Sequence, residues 1–137
     1  MTPGISEFFA EFERHNSAQD FDQLVKQYAE VFLSADPSGT RPVRRQDLAA
    51  ALPKRKQLVQ SAGCKSTRLI SLDETPLDAL HTLVRTSWRW QFATKEITLA
   101  STFILRNREH EWEIVFYLAH DDLIAALRQN GLLAAGA

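Results

Sequence analysis

The first part of the chain carries its hydrophobic residues at helical spacing. Ile5, Phe8, Phe9 and Phe12 recur every three or four positions and therefore share one face of a helix. Thr2-Pro3 precedes them, and threonine at the cap with proline in the first turn favours a helix start. We predict a first helix here with one apolar stripe.

A second stripe at helical spacing follows Ser17, a residue that can cap a helix. The run Asp36-Pro37-Ser38-Gly39 then breaks the period. The pattern predicts a second helix that extends past Phe32 and presents Tyr28 on its inner face. The apolar members of this stripe are Phe21, Leu24, Val25, Tyr28 and Phe32.

Two further helices are predicted, one before and one after a sheet. The segment from Asp47 to Ala62 is amphipathic and is followed by Gly63, a residue type that commonly ends helices, while Pro53 inside it predicts a kink. The segment from Asp121 to Leu133 is also amphipathic. Its two leading aspartates suit the positive end of a helix dipole.

From Lys65 onward the hydrophobic period changes from helical to alternating. The connections between the alternating segments are too short for crossover helices, so the strands should form consecutive antiparallel hairpins. The sequence therefore predicts a four-strand meander after the helices. The predicted strands cover residues 66–73, 79–93, 96–107 and 111–119.

Alternation also assigns the strand side chains to two faces. Pairing Phe92 with Ile97, and Leu105 with Trp112, collects most aromatic side chains on the inner face. A mixed polar and apolar outer face commonly meets another subunit, so we expect a homodimer through the outer face of the sheet. The centre of this predicted interface carries Arg85, Arg89 and Tyr117.

At 137 residues the chain has room for one domain, which we expect to span residues 1–137. The net charge of −1 and an ordinary charged fraction argue against a disordered chain and against a globally basic nucleic-acid binder. No long apolar run or secretion signal is visible, and Cys64 is the single cysteine. We therefore expect a cytoplasmic protein without a membrane partner.

The order of the predicted elements, together with one local motif, resembles a known superfamily. Thr102-Phe103-Ile104-Leu105-Arg106 followed by Trp112-Glu113-Ile114-Val115-Phe116-Tyr117 is similar to the final hairpin of NTF2-like proteins, which include ketosteroid isomerase, scytalone dehydratase and the SnoaL-type cyclases. The resemblance implies an α+β fold in which N-terminal helices pack in the concave face of a curved antiparallel sheet. It also implies an apolar cone open at one end, and frequent homodimers made through the outer sheet face.

The predicted cone is the place where we expect a ligand to bind. Its inner face is aromatic and poor in acidic residues, which suits a small apolar or aromatic ligand. The candidate ligand-binding residues are Tyr28, Phe32, Trp88, Trp90, Ser101, Phe103 and Phe116.

Proton-transfer chemistry would need a titratable group aimed into this cone. The candidates are Asp36, at the end of the second predicted helix, and His120, at the open end of the last strand. Each has a structural alternative, because Asp36 precedes Pro37 as turn residues often do, and the residues after His120 suit a helix cap. No histidine or cysteine spacing indicates a metal site, and no motif indicates a cofactor.

Positive charge concentrates in the segment Arg41–Lys56. This segment could dock an anionic ligand or the acidic face of a second subunit, or it could be a solvated helix face, and the sequence leaves these alternatives open. Trp88-Arg89-Trp90 interleaves aromatic and basic residues as single-stranded nucleic-acid binders do, but strand alternation separates Arg89 from the two tryptophans. We therefore do not expect nucleic acid as a partner.

The sequence leaves two functions open. The first is a noncatalytic dimeric domain that binds a small apolar or aromatic ligand in its cone, and the acid-poor inner face favours it. The alternative is a SnoaL-like isomerase, dehydratase or cyclase that transfers protons in the same pocket, and the enzymes of the resembling superfamily favour it.

Overall fold

The computed structural model describes residues 4–133, which form helices and one mixed sheet. The helices are α1 (Ile5–Ser17), α2 (Phe21–Val25), α3 (Arg45–Ser61) and α4 (Leu123–Gln129). The strands are β1 (Tyr28–Asp36), β2 (Gly39–Arg44), β3 (Cys64–Pro76), β4 (His81–Phe92), β5 (Glu96–Arg108) and β6 (Glu111–Ala119).

The strands lie side by side in the order β2-β1-β6-β5-β4-β3 and form a curved sheet that does not close. All neighbours are antiparallel except β1 and β6, which are parallel. The N-terminal helix α1 packs on the inner face through Ile5, Phe8 and Phe9. This arrangement confirms the predicted α+β class.

The predicted second helix is wrong beyond Val25. Helix α2 ends there, and the chain from Tyr28 to Asp36 is strand β1, which pairs with β2 on one side and with β6 on the other. Tyr28 and Phe32 are both buried, four residues apart, and this spacing fits a strand as well as a helix. The sheet consequently has six strands, and the run from Asp36 to Gly39 is a hairpin turn between β1 and β2.

Helix α3 agrees with its prediction to within two residues, and it runs through Pro53 without ending. Its first residue, Arg45, anchors it to the sheet, because the guanidinium Nε and Nη2 donate to the Tyr28 carbonyl oxygen at 3.0 and 2.6 Å. The predicted start of the first helix at Thr2-Pro3 lies outside the described residues.

Helix α4 is shorter than predicted, with Asp122 as its cap rather than Asp121 as its first residue. The Asp122 carboxylate accepts the Ala125 backbone N–H at 3.0 Å, which satisfies a donor at the helix start. The helix buries Leu127 against Phe92 and Ala62. None of the helices in residues 4–133 is long and apolar enough to cross a membrane.

The main core lies between α1 and the inner face of the sheet. Phe9 is fully buried, with its ring centroid 5.0 Å from that of Phe103 on β5. Burying each such aromatic side chain stabilises the fold by about 1.5–3 kcal/mol. The buried members of this core are Ile5, Phe8, Phe9, Tyr28, Phe32, Val84, Trp88, Phe103, Leu105 and Ile114.

The predicted pairing of β4 with β5 is wrong by two residues. Ile97 lies opposite Trp90 rather than Phe92. Phe92 is released from this ladder and is buried beneath α4 beside Leu127, which accounts for the shift. A shift of two preserves the face of every side chain, so Trp88 and Trp90 still point inward.

The predicted pairing of β5 with β6 is wrong in a way that changes faces. Leu105 lies opposite Ile114 and Ile104 lies opposite Phe116, so Val115 is an extra residue, a β-bulge. Beyond the bulge the alternation is reversed. Tyr117 therefore points inward, opposite Phe103, whereas Phe116 points outward.

Candidate functional site

An open cavity of about 120 Å³ lies between the helices and the inner face of the sheet. Residues from all four helices and from strands β1 and β3 to β6 line it. Aromatic rings dominate the wall of the cavity. They are Phe12, Phe21, Tyr28, Trp88, Trp90, Phe103 and Tyr117.

The Trp88 indole is held in place by hydrogen bonds within the sheet. Its Nε1–H donates to the Thr86 hydroxyl oxygen at 2.8 Å, and that hydroxyl donates to the Ser101 carbonyl oxygen at 3.0 Å. The Phe12 ring lies 5.8 Å from the Trp88 ring. This wall is therefore preformed, and its polar atoms already have partners.

Tyr28 contributes a buried ring and a free hydroxyl. The residue is 7% exposed, and its ring centroid lies 4.7 Å from that of Phe32. No hydrogen-bond partner for the hydroxyl is found among residues 4–133. Burial raises the pKa of Tyr28 well above its usual range, so the phenol stays protonated and can donate a hydrogen bond into the cavity.

The mouth of the cavity is polar. The Asn16 amide donates to the Thr67 hydroxyl at 3.0 Å, which joins the end of α1 to β3. Arg55 lies over the Trp90 ring, with Cζ 5.9 Å from the ring centroid, a cation–π arrangement. Lys56 and Asp121 complete the charged groups that line the cavity in the described part of the chain.

The cavity brings together five of the seven predicted ligand-binding residues: Tyr28, Trp88, Trp90, Ser101 and Phe103. The other two do not line it. Phe32 is buried behind Tyr28, and Phe116 points to the outer face because of the bulge at Val115.

Neither predicted catalytic candidate lines the cavity. Asp36 lies in the turn after β1, where its carboxylate accepts the Ser38 backbone N–H at 2.8 Å, and the hydrogen bonds from Ser38 lower its pKa. His120 is exposed and follows β6 on the outward parity, with Nε2 2.7 Å from the Thr102 hydroxyl. The turn alternative for Asp36 is the better description of that residue.

Sequence reasoning missed most of the cavity lining, and three of the missed residues carry polar groups that matter for binding: Tyr117, Arg55 and Lys56. Tyr117 was assigned to the outer face because the bulge leaves no mark in the alternation. Arg55 and Lys56 lay in the predicted basic segment, but their place at the cavity depends on how α3 packs. The arginines of that segment differ in their surroundings. Arg45 donates to the Tyr28 carbonyl oxygen, whereas Arg41 is exposed on β2.

A shallow basic groove adjoins the cavity and shares Lys56 and Thr67 with it. Its other charged members are Lys65, Arg68, Arg14 and Glu13. The Glu13 carboxylate is already engaged, because it accepts the Leu69 backbone N–H at 2.6 Å. Within residues 4–133 no cluster of three histidine, cysteine or acidic side chains is placed to hold a metal ion.

The outer face of the sheet carries an apolar row across four strands. Leu33, Phe116, Ile104 and Leu83 lie opposite one another on β1, β6, β5 and β4. Leu33 is 44% exposed, which is high for a large apolar side chain in the middle of a strand.

No protein-family model matches the sequence, and no curated protein matches it. Solved structures do. An NTF-2-like protein of unknown function from Shewanella oneidensis superposes with a TM-score of 0.72 and 17% identity, over 85% of this chain and 96% of the other. An NTF2-like protein with a cystatin-like fold from Novosphingobium aromaticivorans gives a TM-score of 0.68 and 19% identity, over 95% and 86% of the two chains.

A candidate scytalone dehydratase from Novosphingobium aromaticivorans is also similar, with a TM-score of 0.66 and 9% identity over 84% of this chain and 79% of the other. At these identities the likeness concerns the fold alone. The chain has the NTF2-like, cystatin-like cone fold that its sequence pattern resembles. Function has to be argued from the site, because one fold hosts many activities.

Proposed function

We propose that this protein is a noncatalytic, dimeric binding module that takes a small apolar or aromatic ligand into its cone. The observation that carries the proposal is the open aromatic cavity, which Tyr28 lines with a hydroxyl that has no hydrogen-bond partner among residues 4–133. Pockets that bind small molecules combine apolar walls with a few placed polar groups. The cavity has this composition.

The set of titratable groups favours binding over catalysis. A general base has to lie within hydrogen-bond reach of the substrate proton. Among the described residues that line the cavity, Asp121 is the one carboxylate, and it is exposed at the mouth.

Titration with single-ring aromatic compounds tests the binding role. Toluene or indole should quench or shift the fluorescence of Trp88 and Trp90, and native mass spectrometry should detect any ligand that co-purifies. Ala119→Phe should abolish binding because Ala119 lines the cavity, whereas the control Ala93→Phe lies in the exposed turn after β4 and should bind normally. Absence of binding by the unmodified protein, with no co-purified mass, contradicts the proposal.

The second candidate function is a SnoaL-like enzyme that transfers protons in the same pocket. Tyr28 as a protonated donor and Asp121 at the mouth favour it. The test is exchange of the α-protons of cyclic ketones in D₂O, followed by NMR. Exchange faster than in buffer that disappears in Asp121→Asn supports the enzyme, whereas exchange at the buffer rate supports the binding module.

Dimerisation through the outer face is supported by the apolar row on β1, β6, β5 and β4. A two-fold related copy would cover Leu33 and Phe116 with the same residues of its partner. The predicted centre of the interface changes, because Tyr117 points into the cavity and Phe116 takes its place.

Sedimentation of two matched variants tests the dimer. Leu33→Asp places a charge on the apolar row and should give monomers, whereas Leu77→Asp makes the same change at a 51%-exposed residue away from the row and should leave the dimer intact. Thr102 is unsuitable for this test, because it is only 8% exposed and a charge there would also destabilise the subunit. If the unmodified protein and the Leu33→Asp variant are both monomers, the proposed interface is wrong.

We also propose a cytoplasmic location. The free Cys64 supports it, because a thiol without a disulfide partner is usual in reducing compartments. Fractionation of cells that express the tagged chain gives the answer directly, and recovery outside the cytoplasm would contradict it.

A further inference from the structure

We propose that the ligand of this cavity carries a carboxylate, which Arg55 binds with Lys56 beside it, on a body about the size of one aromatic ring. The inference rests on the proposed binding function and names the chemical class of its ligand.

Arg55 is held in place but has no anionic partner. Its guanidinium lies over the Trp90 ring, and no carboxylate forms an ion pair with Arg55 or Lys56 among residues 4–133. A guanidinium carries five N–H donors, and those of Arg55 make no hydrogen bond to residues 4–133, so they can bind an acceptor at the cavity. A planar carboxylate is the matching partner, because two parallel hydrogen bonds then form.

Three other arginines near the sheet are engaged by protein groups, whereas Arg68 and Arg85, like Arg55, form no ion pair among residues 4–133. Arg45 donates to the Tyr28 carbonyl oxygen, Arg89 lies 3.7 Å from Glu96, and Arg106 lies 3.9 Å from Glu113. Asp121 lines the same cavity as Arg55 but is not paired with it. The cavity therefore presents two cations and one carboxylate, which leaves an excess of positive charge for a ligand.

Three polar groups line the cavity and can contact the same ligand: the Tyr28 hydroxyl, the Arg55 guanidinium and the Lys56 ammonium group. The positive charge of Arg55 partly opposes the rise in the pKa of Tyr28. Burial keeps the phenol protonated, so Tyr28 donates a hydrogen bond, as Arg55 and Lys56 do. These three side chains donate hydrogen bonds and have no acceptor among residues 4–133, so a ligand rich in acceptor atoms would satisfy them.

The size of the cavity limits the apolar part of the ligand. Its volume of about 120 Å³ is similar to that of an apolar protein cavity of about 150 Å³ that binds benzene. One aromatic ring fills it. A short arm then brings the carboxylate to the mouth, where Arg55 and Lys56 lie, and the neighbouring groove adds Lys65 and Arg68 to the field that attracts an anion.

Isothermal titration with phenylacetate and phenylacetamide separates the charge from the ring. The unmodified protein should bind phenylacetate at least about tenfold more tightly than the neutral amide, because charge-assisted hydrogen bonds are roughly twice as strong as neutral ones. Arg55→Gln should remove this preference while binding of the amide stays unchanged. The control Arg41→Gln removes an exposed arginine of β2 and should preserve the preference.

The possible results distinguish the two proposals. If acid and amide bind equally well and Arg55→Gln changes neither affinity, the carboxylate assignment is overturned while the binding function stands. If neither compound binds, the carboxylate assignment is overturned, and the titration with toluene or indole then decides whether the binding function stands. Arg55 is exposed, so its replacement should leave the folded state intact, and an unchanged circular dichroism spectrum and melting temperature would verify this. Lys56→Gln should weaken binding of the acid but not of the amide.

Discussion

Tyr28 illustrates what a single residue can and cannot reveal from sequence. The sequence predicts its burial and its place in the cavity, because apolar residues that recur at the period of a helix or of a strand face the core in either structure. The exposed mouth was harder to predict. Arg55 and Asp121 are ordinary charged residues in sequence, and only the packing of distant segments makes them neighbours of one cavity.

Replacing Tyr28 with phenylalanine should leave the free energy of unfolding unchanged or raise it by up to about 1 kcal/mol, because the removed hydroxyl has no protein partner to lose. Phe103→Ala is the contrasting variant and should lower that free energy by about 3–5 kcal/mol, since Phe103 is 1% exposed. Urea denaturation measures both. A loss above about 1 kcal/mol in Tyr28→Phe would mean that the hydroxyl is bonded inside the protein.

Cys64 should react slowly with iodoacetamide near neutral pH. Burial raises the pKa of its thiol, and the thiolate is the reactive form, so the rate should keep rising as the pH is increased beyond the usual thiol range. Cys64 also lines the cavity, so a bound ligand should slow the reaction further. Mass spectrometry gives the rates, with the urea-unfolded chain as reference. Equal rates in folded and unfolded protein would disprove the shielding.

At the scale of elements, the later strands were predictable and two features were not. Strands β4 to β6 alternate clearly, so their positions agree with prediction to within a few residues. Strand β1 was mistaken for helix because a four-residue apolar spacing suits both structures. The β5–β6 bulge was invisible, because an extra residue changes pairing without changing composition.

Glu13 on α1 should stabilise the sheet edge formed by β3. Its carboxylate accepts the Leu69 backbone N–H at 2.6 Å, so Glu13→Gln should lower the free energy of unfolding by about 1–2 kcal/mol. Glu11→Gln is the matched control on the same helix. Glu11 pairs with Arg14 in solvent, and its loss should cost less than about 0.5 kcal/mol. Equal effects of the two variants in thermal or urea unfolding would contradict the tether.

For the whole molecule, we predict one cooperative unfolding transition. The clusters around Phe9, Leu24 and Leu127 are joined by shared residues, because Phe12 packs against the first two and Trp90 against the first and third, which favours a single domain. Tryptophan fluorescence and far-ultraviolet circular dichroism should therefore report the same midpoint in urea. Leu127→Ala should move both midpoints together, by an amount equivalent to about 2–5 kcal/mol. Separate transitions would indicate that α4 unfolds independently.

The extra residue at Val115 also determines where this chain can lose or gain a residue. Tyr117 and Ala119 line the cavity, while Phe116 and Leu118 lie on the opposite face of the same strand. Loss of the single codon for Val115 would remove the bulge and leave both sets in place, because Phe116 would then follow Ile114 in regular alternation. A residue inserted between Phe116 and Tyr117 would exchange the faces of the residues after it, so that one event would alter the lining of the cavity and the outer face together.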